Sequence, residues 1–447
     1  MPRTHYKTIV DQFAEQIRAG QLAPGTRLPT HRQLAQTHGT ALATATRVYA
    51  QLQSMGLVSG ETGRGTFVRE PLLPLEHGLD LRAIADGVVD LNFNASVLPG
   101  QVELLREGLR RLANSGDLDA MLRYQPHIGR PHERALVAQH LARQGVLVPP
   151  DQVAIVSGAQ HGLAVVALAL LRPGDVVAVD ALTYPGFKVI AQAVGLELVP
   201  VPVTRHGTDL AALQALCSQR KVRAVYAIPT LHNPLGAVMG VQARKELVAI
   251  ARQHDLLLIE DAAYSFLHDS APVPLFALAP ERCVHVSGLS KSVATGLRFG
   301  YLAAPKNCGT RIERAIRATT WNTPALLTAL ACAWLQDGTV LRLEQEHRDD
   351  ARQRQLLVGE ALAGFKMLRH PNAYFVWLPL EHGVRADQVV LAMAKAGIAA
   401  STAEPFATTS QTPHALRLAL ASVPMDTLKS TLLRVRTVLV RNVQSFA

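Results

Sequence analysis

Four short runs of apolar, largely β-branched side chains, at 153–156, 176–179, 224–228 and 256–259, are separated by stretches of helical character. A strand wet on one face alternates apolar and polar residues, whereas a run that is apolar throughout is buried on both faces. Parallel strands need long crossover connections, and the intervening helices supply them. The pattern therefore predicts an α/β fold with a mainly parallel sheet. In such sheets ligands collect at the carboxyl ends of the strands, so the residues just after each run carry the functional expectation.

Ser157-Gly158-Ala159 follows the first run and opens a helix, whose free N–H groups and positive dipole end suit a phosphate. Thr183-Tyr184-Pro185-Gly186 follows the second, and Tyr184 can stack on a pyridine ring. Asn233, in His232-Asn233-Pro234-Leu235-Gly236, follows the third and can donate to a phenolate oxygen. Glu260-Asp261-Ala262-Ala263-Tyr264 follows the fourth. A carboxylate at Asp261 would keep a pyridine nitrogen protonated and make the ring an electron sink, while Tyr264 shares the phenolate with Asn233. Taken singly, a strand-end aspartate is often only a helix cap and a tyrosine often core.

Further on, Ser287-Gly288-Leu289-Ser290-Lys291 precedes Gly296-Leu297-Arg298-Phe299-Gly300. Lys291 suits imine formation with an aldehyde, and Ser290 and Arg298 suit a phosphate. Pyridoxal phosphate has both groups. The lysine-serine pair is no Walker motif, because the preceding glycine spacing is wrong.

In order and approximate spacing these segments resemble the class I and II aminotransferases of fold type I. The resemblance covers 89–447. It implies pyridoxal 5'-phosphate bound through Lys291, a homodimer, and a smaller C-terminal α+β subdomain. Arg123-Tyr124-Gln125-Pro126 resembles the segment whose tyrosine reaches the phosphate of the partner subunit's cofactor, which assigns that role to Tyr124. Leu416-Arg417-Leu418 resembles the strand whose arginine clamps a substrate carboxylate. The family commonly has a hydroxyl residue three before the lysine. Gly288 stands there instead, so a weaker phosphate shell is expected.

The first 70 residues read differently. Ile9, Val10, Phe13 and Ile17 recur at helical spacing from Tyr6 to Ala19, and Gly20 closes that helix. A turn at Ala23-Pro24-Gly25 leads to Thr30, which can cap a short second helix. Gly39 separates it from a third, at about 41–55, with Ala45, Val48, Leu52 and Met55 inward. Two short strands around Thr62-Gly63-Arg64-Gly65 make a wing. This winged helix-turn-helix carries eight Lys and Arg against four Asp and Glu over residues 1–70.

Residues 6–68 resemble the winged-helix domain of GntR-type repressors, through Pro24-Gly25, Leu28-Pro29, Arg32-x-Leu34-Ala35 and Gly63-Arg64-Gly65-Thr66-Phe67-Val68. Double-stranded operator DNA is the implied partner, with Arg32, Thr44, Thr46, Arg47, Arg64 and Gly65 as contact residues. Where the family usually has Ser-Arg at the start of the third helix, this chain has Ala41-Leu42. Phosphate contact therefore looks intact while base reading is altered.

Residues 71–88, with Pro71, Pro74 and Gly78, read as a linker into which Leu79, Leu81 and Ile84 bring some apolar character. A winged helix ahead of an aminotransferase-like domain resembles the MocR-type regulators, a branch of the GntR family. The implied function is a transcriptional regulator that senses an amino acid, an amine or the vitamer. The alternative is a working aminotransferase with an accessory DNA-binding module. Arg205 and His232 are further candidates for effector selectivity.

Over 447 residues the formal charge is +10, which favours a polyanionic partner. Cys217, Cys283, Cys308 and Cys332 are too widely spaced for a metal site and read as reduced thiols. The N-terminus has no apolar signal region, and the most apolar run, 162–171, falls short of a bilayer span. A cytoplasmic location with no membrane partner is expected.

Overall fold

The computed structural model describes residues 5–18, 21–23, 25–54, 57–61, 65–68, 88–95, 98–114, 118–204, 206–381, 383–409 and 411–444. The expectations for Pro24, Met55, Arg64, Arg205, most of the linker and the tip of the wing lie outside these residues.

The N-terminal module is three helices and a wing: α1 (His5–Arg18), α2 (His31–Thr37), α3 (Leu42–Ser54), then β1 (Val58–Glu61) antiparallel to β2 (Gly65–Val68). Thr30 caps α2 as expected, in a reciprocal box with Gln33: the Gln33 N–H donates to the threonine hydroxyl and the Thr30 N–H to the glutamine carbonyl. Ile9, Val10, Ala14 and Ile17 of α1 close on Ala45, Val48, Tyr49 and Leu52 of α3. Phe13, which shares the helical spacing of Ile9, Val10 and Ile17, is partly buried at the rim of this core. The Tyr49 hydroxyl donates to the Pro29 carbonyl (2.5 Å), and burial pushes its pKa up to about 12.

The remainder divides between two sheets. β3 (Val89–Leu91) is followed by helices α4 (Gln101–Asn114), α5 (Leu118–Met121) and α6 (Pro131–Arg143). The large sheet then takes β4 (Val153–Val156), β5 (Val176–Asp180) and β6 (Glu197–Val201). A small hairpin, β7 (Val203–Thr204) with β8 (Gly207–Thr208), interrupts it before β9 (Val222–Ala227), β10 (Leu257–Asp261), β11 (Cys283–Gly288) and β12 (Gly300–Ala303). Its order is β4-β12-β11-β10-β9-β5-β6, parallel except for β12, which runs against both β11 and β4. The four apolar runs are β4, β5, β9 and β10, buried on both faces as their composition requires.

The small sheet contains β13 (Leu368–Arg369), β14 (Phe375–Pro379), β15 (Ile398–Thr402) and β16 (Ala415–Ala419), in the order β13-β14-β16-β15-β3. β3, from the other end of the domain, adds to it as a parallel edge strand on β15. The described chain after the winged helix thus enters the small subdomain first and only then crosses to the large sheet. Arg385, just before the helix Ala386–Lys395, is held by Asp387 (3.0 and 2.7 Å) and stacks 4.2 Å from the ring centre of Phe67 on β2. That contact joins the wing sheet to the small subdomain.

Candidate functional site

Lys291 lies three residues past the end of β11, in a turn closed by Leu289 N–H to Phe299 O (2.9 Å) and Val293 N–H to Leu289 O (2.8 Å). It is half-buried, and its Nζ donates to the Asn94 carbonyl (2.8 Å), 5.9 Å from the centre of the Tyr264 ring. Gly288 pairs with Gly300 across β11 and β12. A Cβ at 288 would lie 2.8 Å from Phe299 O and 3.0 Å from Gly300 Cα. The hydroxyl expected there is missing because this backbone leaves no room for a side chain. Ser287 offers no substitute, since its hydroxyl donates to Ala262 O (3.2 Å) inside the sheet.

Gly158 caps α7 (Ala159–Leu170) with φ +89°, so the first N–H groups of the helix stand open beside Ser157. Arg298, at φ +46°, folds back over this turn: a Cβ on Gly158 would meet its Nη2 at 3.1 Å. Ser157 Oγ is 3.4 Å from Thr323 Oγ1, and its N–H donates to His161 Nδ1 (3.0 Å). Burial, reinforced by Arg298, pushes the His161 pKa down. The neutral ring therefore carries its proton on Nε2, which donates to Thr319 Oγ1 (2.8 Å). Ser157, Gly158, Ala159 and Arg298 meet at this helix N-terminus, and the Gly288–Gly300 pair of β11 and β12 packs against its first N–H groups.

Asp261 ends β10, buried, with the Tyr226 hydroxyl donating to Oδ2 (2.6 Å) and the Ala263 N–H to Oδ1 (3.0 Å). Burial pushes its pKa up, and these two donors oppose the shift. Tyr184 precedes α8 (Pro185–Val194) and donates to Gln160 Oε1 (2.8 Å). Burial, and then Asp261, keep the Tyr184 phenol protonated. Asn233 forms a cis bond to Pro234. Beside it, His232 pairs with Asp180 (3.0 Å), so His232 is held in a buried pair. Tyr264 receives the Asn94 side-chain amide (3.4 Å) and packs edge-on to Phe375.

Arg417 lies on β16 between Trp377 and Ser401, buried, with its guanidinium 5.2 Å over the Phe406 ring. Burial lowers its pKa to about 10, opposed by Tyr264 and Asp90, so it remains a cation at neutral pH. Among the described residues Asn233 Oδ1, Ser290 Oγ, and Arg417 Nε and Nη1 are buried without a hydrogen-bond partner. Tyr124 is elsewhere: it is 86% exposed, and its ring meets Trp321 at 5.5 Å.

Two residues at the site escaped the sequence reading. Tyr226 sits inside an apolar strand and looks like core. Asn94 lies 197 positions before Lys291, outside every strand-helix unit. Its side chain also accepts from Ala421 N–H (3.2 Å), and Ser422 pins its neighbours Phe93 and Ala95. The short segment after β3 is thereby stitched both to the small subdomain and to Lys291.

In the winged helix, Arg32, Thr46 and Arg47 are exposed on α2 and α3, and Thr44 is half-buried. Arg47 stacks over the Tyr6 ring at 4.5 Å. Gly65, at φ +118°, faces Arg27 where the wing begins to close. No cluster of metal-ligating side chains occurs among the described residues, and no helix there is long and apolar enough to cross a membrane.

Residues 86–435 match the family described as aminotransferase class I and II, and residues 5–68 match the bacterial regulatory proteins of the gntR family. The chain belongs to the MocR-type regulators. It is a transcriptional regulator built from a gntR-family helix-turn-helix, a DNA-binding module, and an aminotransferase-like domain. It is similar to the HTH-type transcriptional regulator YdeF of Bacillus subtilis, 28% identical over 413 residues, covering 92% of this chain and 88% of that one. It is equally similar, at 28% over 410 residues, to the HTH-type pyridoxine biosynthesis transcriptional regulator PdxR of Corynebacterium glutamicum, covering 88% of this MocR-type chain and 87% of PdxR. The kynurenine aminotransferase of Pyrococcus horikoshii, solved in complex with pyridoxamine phosphate, shares the fold: TM-score 0.74 at 23% identity, over 80% of this chain and 92% of that one.

Proposed function

We propose that the domain from 89 to 447 binds pyridoxal 5'-phosphate and reports an amino compound, or the vitamer itself, to the winged helix of 1–70 across a linker of 71–88. The observation that carries this reading is that two buried donors without partners among the described residues, Ser290 Oγ beside Lys291 and the Arg417 guanidinium on β16, stand at the carboxyl end of the large sheet and in the small subdomain. Such an atom costs about 1–3 kcal/mol when nothing meets it, and a ligand bound here would recover that cost. Both groups are donors of the right kind: the Ser290 hydroxyl suits the cofactor's phosphate, and the Arg417 guanidinium suits the carboxylate of an amino-acid effector.

Bound there, pyridoxal phosphate supplies an electrophilic aldehyde on an electron-withdrawing ring. Ser157, Gly158, Ala159, Ser290 and Arg298 hold the phosphate with helix N–H groups, a hydroxyl and a guanidinium. Asp261, braced by Tyr226, holds a proton on the ring nitrogen, which offsets the burial that raises its own pKa. Tyr184 covers the ring, Asn233 and Tyr264 hold the phenolate, and Lys291 supplies the amine. Arg417 takes the carboxylate of an amino-acid effector. The exposed Tyr124 completes the phosphate site of a second copy, which makes the working form a homodimer.

Lys291 also provides the coupling. Its amine rests on the Asn94 carbonyl, at the start of the domain nearest the linker. Engaging that amine elsewhere removes its donor from Asn94, and releasing it restores the bond. The segment after β3 thereby has two states that ligands bias. The test is a mobility shift with DNA from upstream of the chain's own gene, with and without pyridoxal phosphate and a panel of amines and amino acids. A change in DNA affinity that disappears in Lys291→Ala supports the sensor. Steady amino transfer between amino and keto acids at ordinary enzyme rates, with DNA affinity unchanged, replaces it with an enzyme.

A further inference from the structure

Base edges are read by side chains on the first turns of the second helix of a helix-turn-helix, here α3. In this chain that turn is apolar. Ala41, Leu42 and Ala43 are exposed, Leu42 at 50%. The Thr46 hydroxyl is spent on the Leu42 carbonyl (3.1 Å), with His31 Nδ1 at 3.4 Å. Thr44 is half-buried, and the Arg47 guanidinium lies against Tyr6. Among the described residues, the tip of α3 thus offers methyl groups where related helices offer a long donor.

The thymine C5-methyl is the apolar feature on the major-groove edge of DNA, whereas G·C pairs present only donors and acceptors there. Pressing an apolar turn onto a G·C edge strips those groups of water and returns no hydrogen bond. We propose that Leu42, with Ala41 and Ala43 beside it, reads thymine methyl groups, so that each half-site carries T·A pairs where the first turn of α3 meets the groove. Arg32 and Arg47 are left to the phosphates, which carry no sequence information. This assignment stands on the DNA-binding module alone and does not depend on the cofactor.

Uracil differs from thymine by that methyl alone. Full-length protein is used to select duplexes from a randomised pool, and each thymine of the winning sequence is then replaced by uracil. Burying one methyl is worth ~0.8 kcal/mol, so wild-type affinity should fall about fourfold at the contacted pair, and roughly fifteenfold when both half-sites are changed. Leu42→Ala should still bind, with the same salt dependence and melting temperature, but should no longer tell thymine from uracil. Leu42→Arg should shift the selected base toward guanine, the partner of an arginine fork. The proposal is overturned if uracil at every thymine leaves wild-type affinity unchanged, if Leu42→Ala keeps the wild-type sensitivity, or if the pool yields half-sites without thymine or no enriched sequence at all.

Discussion

The tip of α3 and the carboxyl end of the large sheet are mismatched to their surroundings in opposite senses. Leu42 and Ala43 at the start of α3, with Ala41 just before it, stand out in water, while the sheet and its small subdomain bury an amide oxygen, a hydroxyl and two guanidinium nitrogens without partners. Neither arrangement stabilises the free chain. The difference lies in what each interior lacks: apolar surface at the first site, polar partners at the second. A groove lined with methyl groups suits one, and a small anionic ring compound suits the other. The same contrast predicts that trimming the second site should leave stability intact or raise it while ligand affinity falls.

The strongest way to break this contrast is Arg417→Met. A buried guanidinium with two unpartnered nitrogens gives way to an apolar chain of similar length, so the melting temperature should hold or rise. Affinity for a carboxylate-bearing amine should fall about a hundredfold or more, because charged hydrogen bonds contribute ~1.5–3 kcal/mol each. Thermal denaturation and spectral titration read the two effects separately. A large loss of stability would mean that Arg417 is structural.

Asn94→Ala probes a buried polar group that is already satisfied, and it should behave in the opposite way. It leaves Ala421 N–H without an acceptor and loosens Tyr264, so unfolding in urea should report a loss of about 1–3 kcal/mol. Ser290→Ala returns to the unpartnered class: stability unchanged, pyridoxal phosphate retained about tenfold less well in equilibrium dialysis.

The smallest effect concerns pH. His161 is neutral when folded because burial lowers its pKa, so its contribution is fully present above its unfolded value near 6.5 and is lost as pH falls through the lower folded value. His161→Asn, which keeps an acceptor for Ser157 N–H, should flatten the acid side of the stability profile.

Legibility in the sequence followed contact distance. The winged helix was readable almost throughout, because Thr30 caps with Gln33 three residues on and the α1 and α3 faces repeat at helical spacing. Four strands of the large sheet were readable because burial on both faces leaves an unbroken apolar run. β11 and β12 are buried as well, yet they were hidden: His285, paired with Glu260, interrupts the apolar run of β11, both strands run into the Lys291 stretch, and β3 is a three-residue edge strand beside the linker. The residues after each strand could be named, yet not what holds them: Tyr226 behind Asp261, and Asn94 beneath Lys291. Gly288 was read as a lost hydroxyl, and only the 2.8 Å approach to Phe299 O reveals it as a packing requirement.

The most direct test of the sensor site is reductive trapping. Full-length protein is incubated with pyridoxal phosphate, reduced with borohydride, digested, and the peptides are weighed. One label per chain on Lys291, lost in Lys291→Ala and weakened in Ser290→Ala, is the predicted result. Label spread over other lysines at the same level, or none on Lys291, would contradict it.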